Sequence, residues 1–156
     1  MAPSDDNDWL VAHANLLCDS FERLTGRSLI EGDTPVGRAK CLYHAPFAVV
    51  SHGLGADPIF NYANVAAQQA FGYDWEAFLA LPSRLSAGPD AREARERTLL
   101  AVKDHGFLSG YSGLRVSADG SRFEIRDTTI WNVLDDDCRY HGQAALIGSW
   151  AAHHDE

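Results

Sequence analysis

Residues 114–126 read Leu114-Arg115-Val116-Ser117-Ala118-Asp119-Gly120-Ser121-Arg122-Phe123-Glu124-Ile125-Arg126. Apolar and polar side chains alternate on both sides of Asp119-Gly120, the period of two that a half-buried strand requires. Asp-Gly takes up positive φ angles readily, so the two runs are expected to fold back as a hairpin. The second run keeps its period to about Leu134. Asp135-Asp136-Asp137 then makes a second turn, because three like charges are tolerated in water and repel in a packed element. Tyr140 to Trp150 reads as a third strand, and His153-His154-Asp155-Glu156 as a frayed end. Three sequential antiparallel strands need only short loops and should be neighbours.

Working back from this unit, Gly106 closes a helix that ends at His105. Asp90 with Glu93 three residues on resembles a capping box at its start. Ala91, Thr98, Leu99 and Val102 fall on one side of it, and Leu100 on the charged side. Arg84, Arg92, Arg95 and Arg97 are interleaved with Asp90, Glu93 and Glu96, which reads as a solvated face. Before it come two short helices. Asn64 caps one that Gly72 closes, and Asp74 caps another that Pro82 stops. Phe47–Ser51 and Ile59–Tyr62 are short apolar runs separated by Gly53, Gly55 and Pro58, the pattern of a hairpin. Residues 27–40 mix Gly, Pro, Asp and Lys without period and read as a linker or irregular loop. Ser4, followed by Asp5, Asp6 and Asn7, starts an N-terminal helix that Gly26 ends. Leu10, Ala14, Leu17, Phe21 and Leu24 form its apolar stripe. A stripe of that breadth packs on its own domain or on a second copy.

The chain has 156 residues, 46% hydrophobic and 22% charged, which is the make-up of one globular domain. A formal net charge of -9 disfavours nucleic acid as a partner. Three cysteines without close pairing suit reduced thiols. The absence of an apolar, basic N-terminal run or a membrane-length apolar stretch gives the expectation of a cytoplasmic protein without a membrane partner.

The order of elements is the PAS arrangement, and a closer resemblance rests on particular residues. Ser51-His52 precedes Asp57-Pro-Ile-Phe-Asn-Tyr-Ala-Asn64. Ala66-Ala67, Phe71, Trp75 and Leu81-Pro-Ser-Arg84 follow. Tyr111-Ser-Gly-Leu-Arg-Val-Ser117, Gly120, Arg122-Phe123, Trp131-Asn132 and Gly142-Gln-Ala-Ala145 complete the set. Together these resemble the MEKHLA family, a PAS-related domain, in its stand-alone bacterial form. The Met-Glu-Lys-His-Leu-Ala string that names the family is absent. The resemblance implies an α+β, PAS-like fold: a five-stranded antiparallel sheet with helices on one face, plus an N-terminal helix. Residues 1–40 would be the helix and linker, and 41–152 the PAS-like domain. It implies a sensory or regulatory role and supplies neither a catalytic residue nor a cofactor.

Motifs that could carry chemistry are incomplete. Cys41 and His44 have ligand-like spacing, but no second pair joins them, so no metal site is expected. Gly110-Tyr-Ser112-Gly113 lacks the register and the strand-to-helix turn of a nucleophile elbow. Gly53 and Gly55 lack the third glycine of a dinucleotide loop. Flavin photosensors of the PAS class carry a reactive cysteine after the first hairpin, where this chain reads Phe78-Leu-Ala-Leu-Pro-Ser-Arg-Leu85. The anomaly is Asp127. Strict alternation puts it on one core face with Phe123, Ile125, Thr129, Trp131 and Val133, where a carboxylate must be paired or hydrogen-bonded. It either bonds backbone amides or an arginine such as Arg115, or it lines a ligand pocket with Tyr111, Arg115, Trp131 and Gln143.

The sequence thus favours a non-catalytic sensory or regulatory module that binds a small molecule or a protein partner, with a homodimer formed through the N-terminal helix. The alternative is a small cone-shaped α+β enzyme using Asp127 as acid or base. A pure interaction domain with a filled core is a third reading.

Overall fold

A computed structural model describes residues 1–153; the frayed end expected at 153–156 therefore lies almost wholly outside the described residues. Ser4 does cap the first turn, with its Oγ accepting from the Asp6 amide at 3.2 Å. That turn is a tight 3-10 segment, and the chain then passes through left-handed angles at Asp8, Trp9 and Leu10. The first α-helix, α1, therefore covers Val11–Thr25 rather than starting at Ser4. Gly26 ends it at φ 74, with its amide on the Glu22 carbonyl. The expected linker holds a second helix, α2, Pro35–Tyr43. Its cap is Thr34, whose Oγ1 accepts from the Gly37 amide at 2.9 Å, and Pro35 supplies a preset first position. Arg38 of α2 clamps α1, donating to Asn15 Oδ1 and Asp19 Oδ1.

Two short strands follow, β1 (Ala48–His52) and β2 (Phe60–Ala63). Asn64 caps α3 (Val65–Phe71) and also accepts from the Val49 amide and donates to the Leu42 and Phe47 carbonyls, so one side chain joins three elements. Asp74 caps α4 (Trp75–Phe78). Helix α5 runs over Arg92–His105. The capping box expected at its start does not form: Asp90 pairs instead with Arg122, Oδ2 to Nη2 at 2.8 Å. The strands β3 (Phe107–Val116), β4 (Arg122–Leu134) and β5 (Tyr140–Ala152) then run consecutively. The antiparallel sheet has the order β2-β1-β5-β4-β3. Gly142 lets β1 and β5 meet closely, since a Cβ there would lie 2.0 Å from the His52 carbonyl oxygen.

Both faces of this sheet are covered. On the outer face, α1 and α2 bury Leu17, Phe21, Leu42, Val49, Trp131 and Val133. The Phe21 and Trp131 rings meet edge to face at 4.9 Å, and Trp131 Nε1 donates to Ser20 Oγ. On the inner face lie α3 and Phe78 of α4, over Val50, Phe60, Phe123, Ile125 and Ile147. The apolar stripe of α1 that motivated a homodimer is spent on the chain's own sheet.

Strict alternation along β4 fails at one residue. Asp127 adopts φ 50. The ladder pairs Arg126 with Ser149 and Thr128 with Ile147 and steps over it. Beyond it the side-chain phase is reversed. Phe123 and Ile125 face inward, whereas Trp131 and Val133 face α1. The expectation that these four share a face with Asp127 is therefore corrected.

His13 of α1 reaches Ser51 of β1, Nε2 to Oγ at 3.0 Å. Burial, with a smaller contribution from His141, pushes its pKa from 6.5 down to about 4. The unfolded chain takes up this proton more readily than the fold does. Stability held above pH 6.5 is thus lost progressively as pH falls toward about 4. Urea denaturation across that window should show a loss of about 2–3 kcal/mol attributable to His13. His13→Gln should flatten that part of the profile; an unchanged slope would assign the loss elsewhere.

Candidate functional site

Between the inner face and α5 lies a cavity of about 40 Å³. A water needs roughly 10–15 Å³ on this measure, so the space holds about three. Its walls are largely aliphatic and aromatic, from Val50, Phe60, Phe71, Ile125, Ile130 and Ile147. Into this apolar shell project two arginines, Arg95 from α5 and Arg115 from β3, which are 5% and 7% exposed. Among the described residues no aspartate or glutamate lines the space.

The two guanidiniums are held differently. Arg115 donates to the Leu114 carbonyl at 2.8 Å and lies over the Tyr111 ring at 5.7 Å, with the Tyr111 hydroxyl at 3.5 Å. Arg95 has one ion-pair neighbour among the described residues, Glu96 at 3.9 Å, and that carboxylate is mostly in water. Burial first, and the charge of Arg115 second, bring the Arg95 pKa down to about 10. It remains a cation at neutral pH.

His52 closes the β1 side. Its Nδ1 sits 3.2 Å from the Gly53 carbonyl oxygen, which assigns the ring proton to that nitrogen. The other nitrogen, Nε2, is buried without a partner. Burial, followed by the Arg95 charge, lowers the His52 pKa against the Gly53 hydrogen bond, so the ring is a neutral acceptor. Gln143 of β5 donates to the Leu99 carbonyl and to Asn132 Oδ1. Asn132 of β4 donates in turn to the Val102 and Lys103 carbonyls. Two amides thus rivet α5 to the sheet beside the cavity.

An outer cleft of about 330 Å³ adjoins this space and shares His52, Arg95, Leu99 and Gln143 with it. Residues 53–58 and the α5 residues Leu100 and Lys103 form its sides. Arg84 and Asp57 pair across its rim at 2.9 Å.

The five residues singled out from sequence separate. Arg115 and Gln143 line the cavity, and Tyr111 sits behind Arg115. Trp131 lies on the opposite face against Phe21. Asp127 is exposed at the kink and lines neither space, so the pocket carboxylate and the acid–base arrangement built on it are absent. Gly148 accommodates it: a Cβ there would come 2.9 Å from both its carbonyl and its carboxylate oxygen.

Sequence reasoning missed Arg95 and His52. A signal for Arg95 existed. It falls on the inward stripe of α5, four residues before Leu99 and seven before Val102. Its acidic neighbours disguised it as surface. Among the described residues no three His, Cys, Asp or Glu side chains converge as metal ligands would.

The model of the MEKHLA domain family matches residues 11–152. No curated protein matches the chain. Among solved structures, the PAS domain of a protein from Colwellia psychrerythraea is similar at a TM-score of 0.61 and 20% identity, over 70% of this chain and 90% of that one. A light-oxygen-voltage domain studied with a flavin analogue is similar at 0.59 and 18%, over 75% and 84%. The LOV domain of a blue-light activated histidine kinase from Erythrobacter litoralis is similar at 0.54 and 20%, over 70% and 98%. At these identities the likeness is one of fold.

Two substitutions separate the kink from the cavity. Asp127→Gly removes a non-glycine residue from left-handed angles and should leave stability within about 1 kcal/mol of the parent or raise it. Arg95→Met replaces a poorly paired buried charge by an apolar chain of similar length and should stabilise by about 1–4 kcal/mol. Urea melts read both. A large loss for Arg95→Met would reveal a stabilising pairing that the geometry lacks.

Proposed function

The chain belongs to the MEKHLA domain family, and on that premise we propose that it is a non-catalytic sensory module of PAS type. It takes a small molecule into the space beneath α5 and passes occupancy to a protein partner or a second copy. The observation that carries this reading is the inner cavity: Arg95 and His52 Nε2 are buried in its wall and incompletely partnered, and an outer cleft adjoins it. A domain serving only as scaffold would fill that space with aliphatic side chains.

The inner space by itself does not hold a flavin. The cavity of about 40 Å³ is far below the roughly 300–1,000 Å³ of drug-sized ligand sites, and no cysteine lines it. Cys18 is buried on the sheet-facing side of α1, in the outer core, and Cys41 and Cys138 are exposed. The readout surface is best supported at the lip of the outer cleft on α5 and at the start of β3. Leu100 is 60% exposed there, with Phe107 and Leu108 next along the chain. Among the described residues no helix is long and apolar enough to cross a membrane.

Hydrogen exchange during a screen of small metabolites tests the reading. A true ligand should raise the melting temperature and slow exchange across 95–105 and the facing parts of β4 and β5. A broad panel that changes neither the melt nor exchange in α5 would reassign the chain to a ligand-free interaction domain.

A further inference from the structure

Resting on that sensory reading, we infer that the molecule received beneath α5 is a small organic carboxylate, held by Arg95 and Arg115. Two guanidiniums in one apolar cavity repel each other and have lost most of their water. Among the described residues the inner walls offer no counter-charge, and Glu96 at 3.9 Å is 61% exposed at its side chain. The chain is acidic overall, yet this one interior space is cationic. The missing component is an anion.

Several features narrow the class. A guanidinium presents paired donors that match a planar carboxylate. Val50, Phe60, Ile125, Ile130 and Ile147 suit a short aliphatic body. The hydroxyls of Ser51, Ser86 and Thr128 that also line the space already donate to Asn61 Oδ1 and to the Ser83 and Arg126 carbonyls, so they offer no proton to the remaining oxygens of a phosphate. Room for about three water-sized groups admits a head and a carbon or two. A longer chain would extend past Arg95 into the outer cleft. The unpartnered Nε2 of His52, on a side chain 9% exposed, is a separate sign that the cavity is built for a polar guest. It accepts a hydrogen bond, so a hydroxyl on the guest would suit it.

Calorimetric and NMR titrations of the full chain test this at constant chloride. The probes are sodium acetate, propionate, butyrate and hexanoate, the uncharged propionamide and butyramide, and inorganic phosphate. At least one carboxylate should bind and shift the amide signals of Arg95, Arg115 and Gln143, with its matched amide about tenfold weaker or more. Arg95→Met and Arg115→Gln should each weaken that carboxylate by about tenfold or more, Arg95→Met while melting higher than the parent. Arg126→Gln, on the exposed pair with Glu124, should leave it unchanged. Amides binding as well as carboxylates would overturn the anion inference and leave the sensory reading standing. Phosphate binding best would overturn the carboxylate assignment, as would Arg95→Met binding undiminished. No binding by any probe would sink the inference. If no molecule from the wider screen moves α5 either, the sensory reading falls with it. The comparison of acid with amide needs only the parent chain, so it stands even if a variant does not fold.

Discussion

One backbone conformation organises this molecule: the left-handed turn of Asp127 within β4. A strand in perfect alternation would carry its apolar residues on one face throughout. Here the phase reverses, so β4 gives Phe123 and Ile125 to the inner core and Trp131 and Val133 to the outer one. Aspartate tolerates such angles better than most residues, and the missing side chain of Gly148 leaves space for its carboxylate. The reversal lets one sheet serve two different cores.

Those cores have different characters. The outer one is apolar and tied to the helices α1 and α2, with the Trp131–Ser20 hydrogen bond and the Arg38 clamp fixing them in place. The inner one is apolar at the β2 end, where Phe60, Phe71, Phe78 and Phe123 meet edge to face. Toward α5 it becomes polar, with Arg95, Arg115, His52, Asn132 and Gln143. The sheet thus presents a stable wall on one side and an electrostatically incomplete chamber on the other.

Legibility in the sequence follows how local each cause is. The turn at Asp119-Gly120, the caps at Asn64 and Asp74 and the glycine stops at Gly26 and Gly72 act within a few residues, so the order of elements was readable. Thr34-Pro35 is an equally local helix start, and it was obscured by the glycines and charges around it. Asp127 could not be placed by alternation, because it is the residue that breaks alternation. Arg95 carries the opposite lesson. A charge between acidic neighbours reads as solvated, and only its register with Leu99 and Val102 shows that it points inward. Arg115 and Gln143 were picked out beside Asp127, whereas the cavity they line is completed by Arg95 and His52.

The two cores also predict which element can move. Helix α1 buries Ala14, Leu17, Cys18, Ser20 and Phe21, so displacing it would expose a large apolar area. Helix α5 buries only Arg95 and Val102. It is held largely by side-chain amides of Gln143 and Asn132 on its own carbonyls, contacts that can be exchanged for water at small net cost. The buried charge of Arg95 further opposes the closed arrangement until something neutralises it. On the proposed sensory reading, a weakly docked helix that carries an incompletely paired cation on its inner side and the exposed Leu100 at the cleft lip would couple cavity to surface without any longer pathway. Neutralising Arg95 removes the term that opposes docking, so an anion would tighten α5 on the sheet and alter the face it shows to solvent. The direction of that response follows from the sign of the charge and from which helix is loosely held.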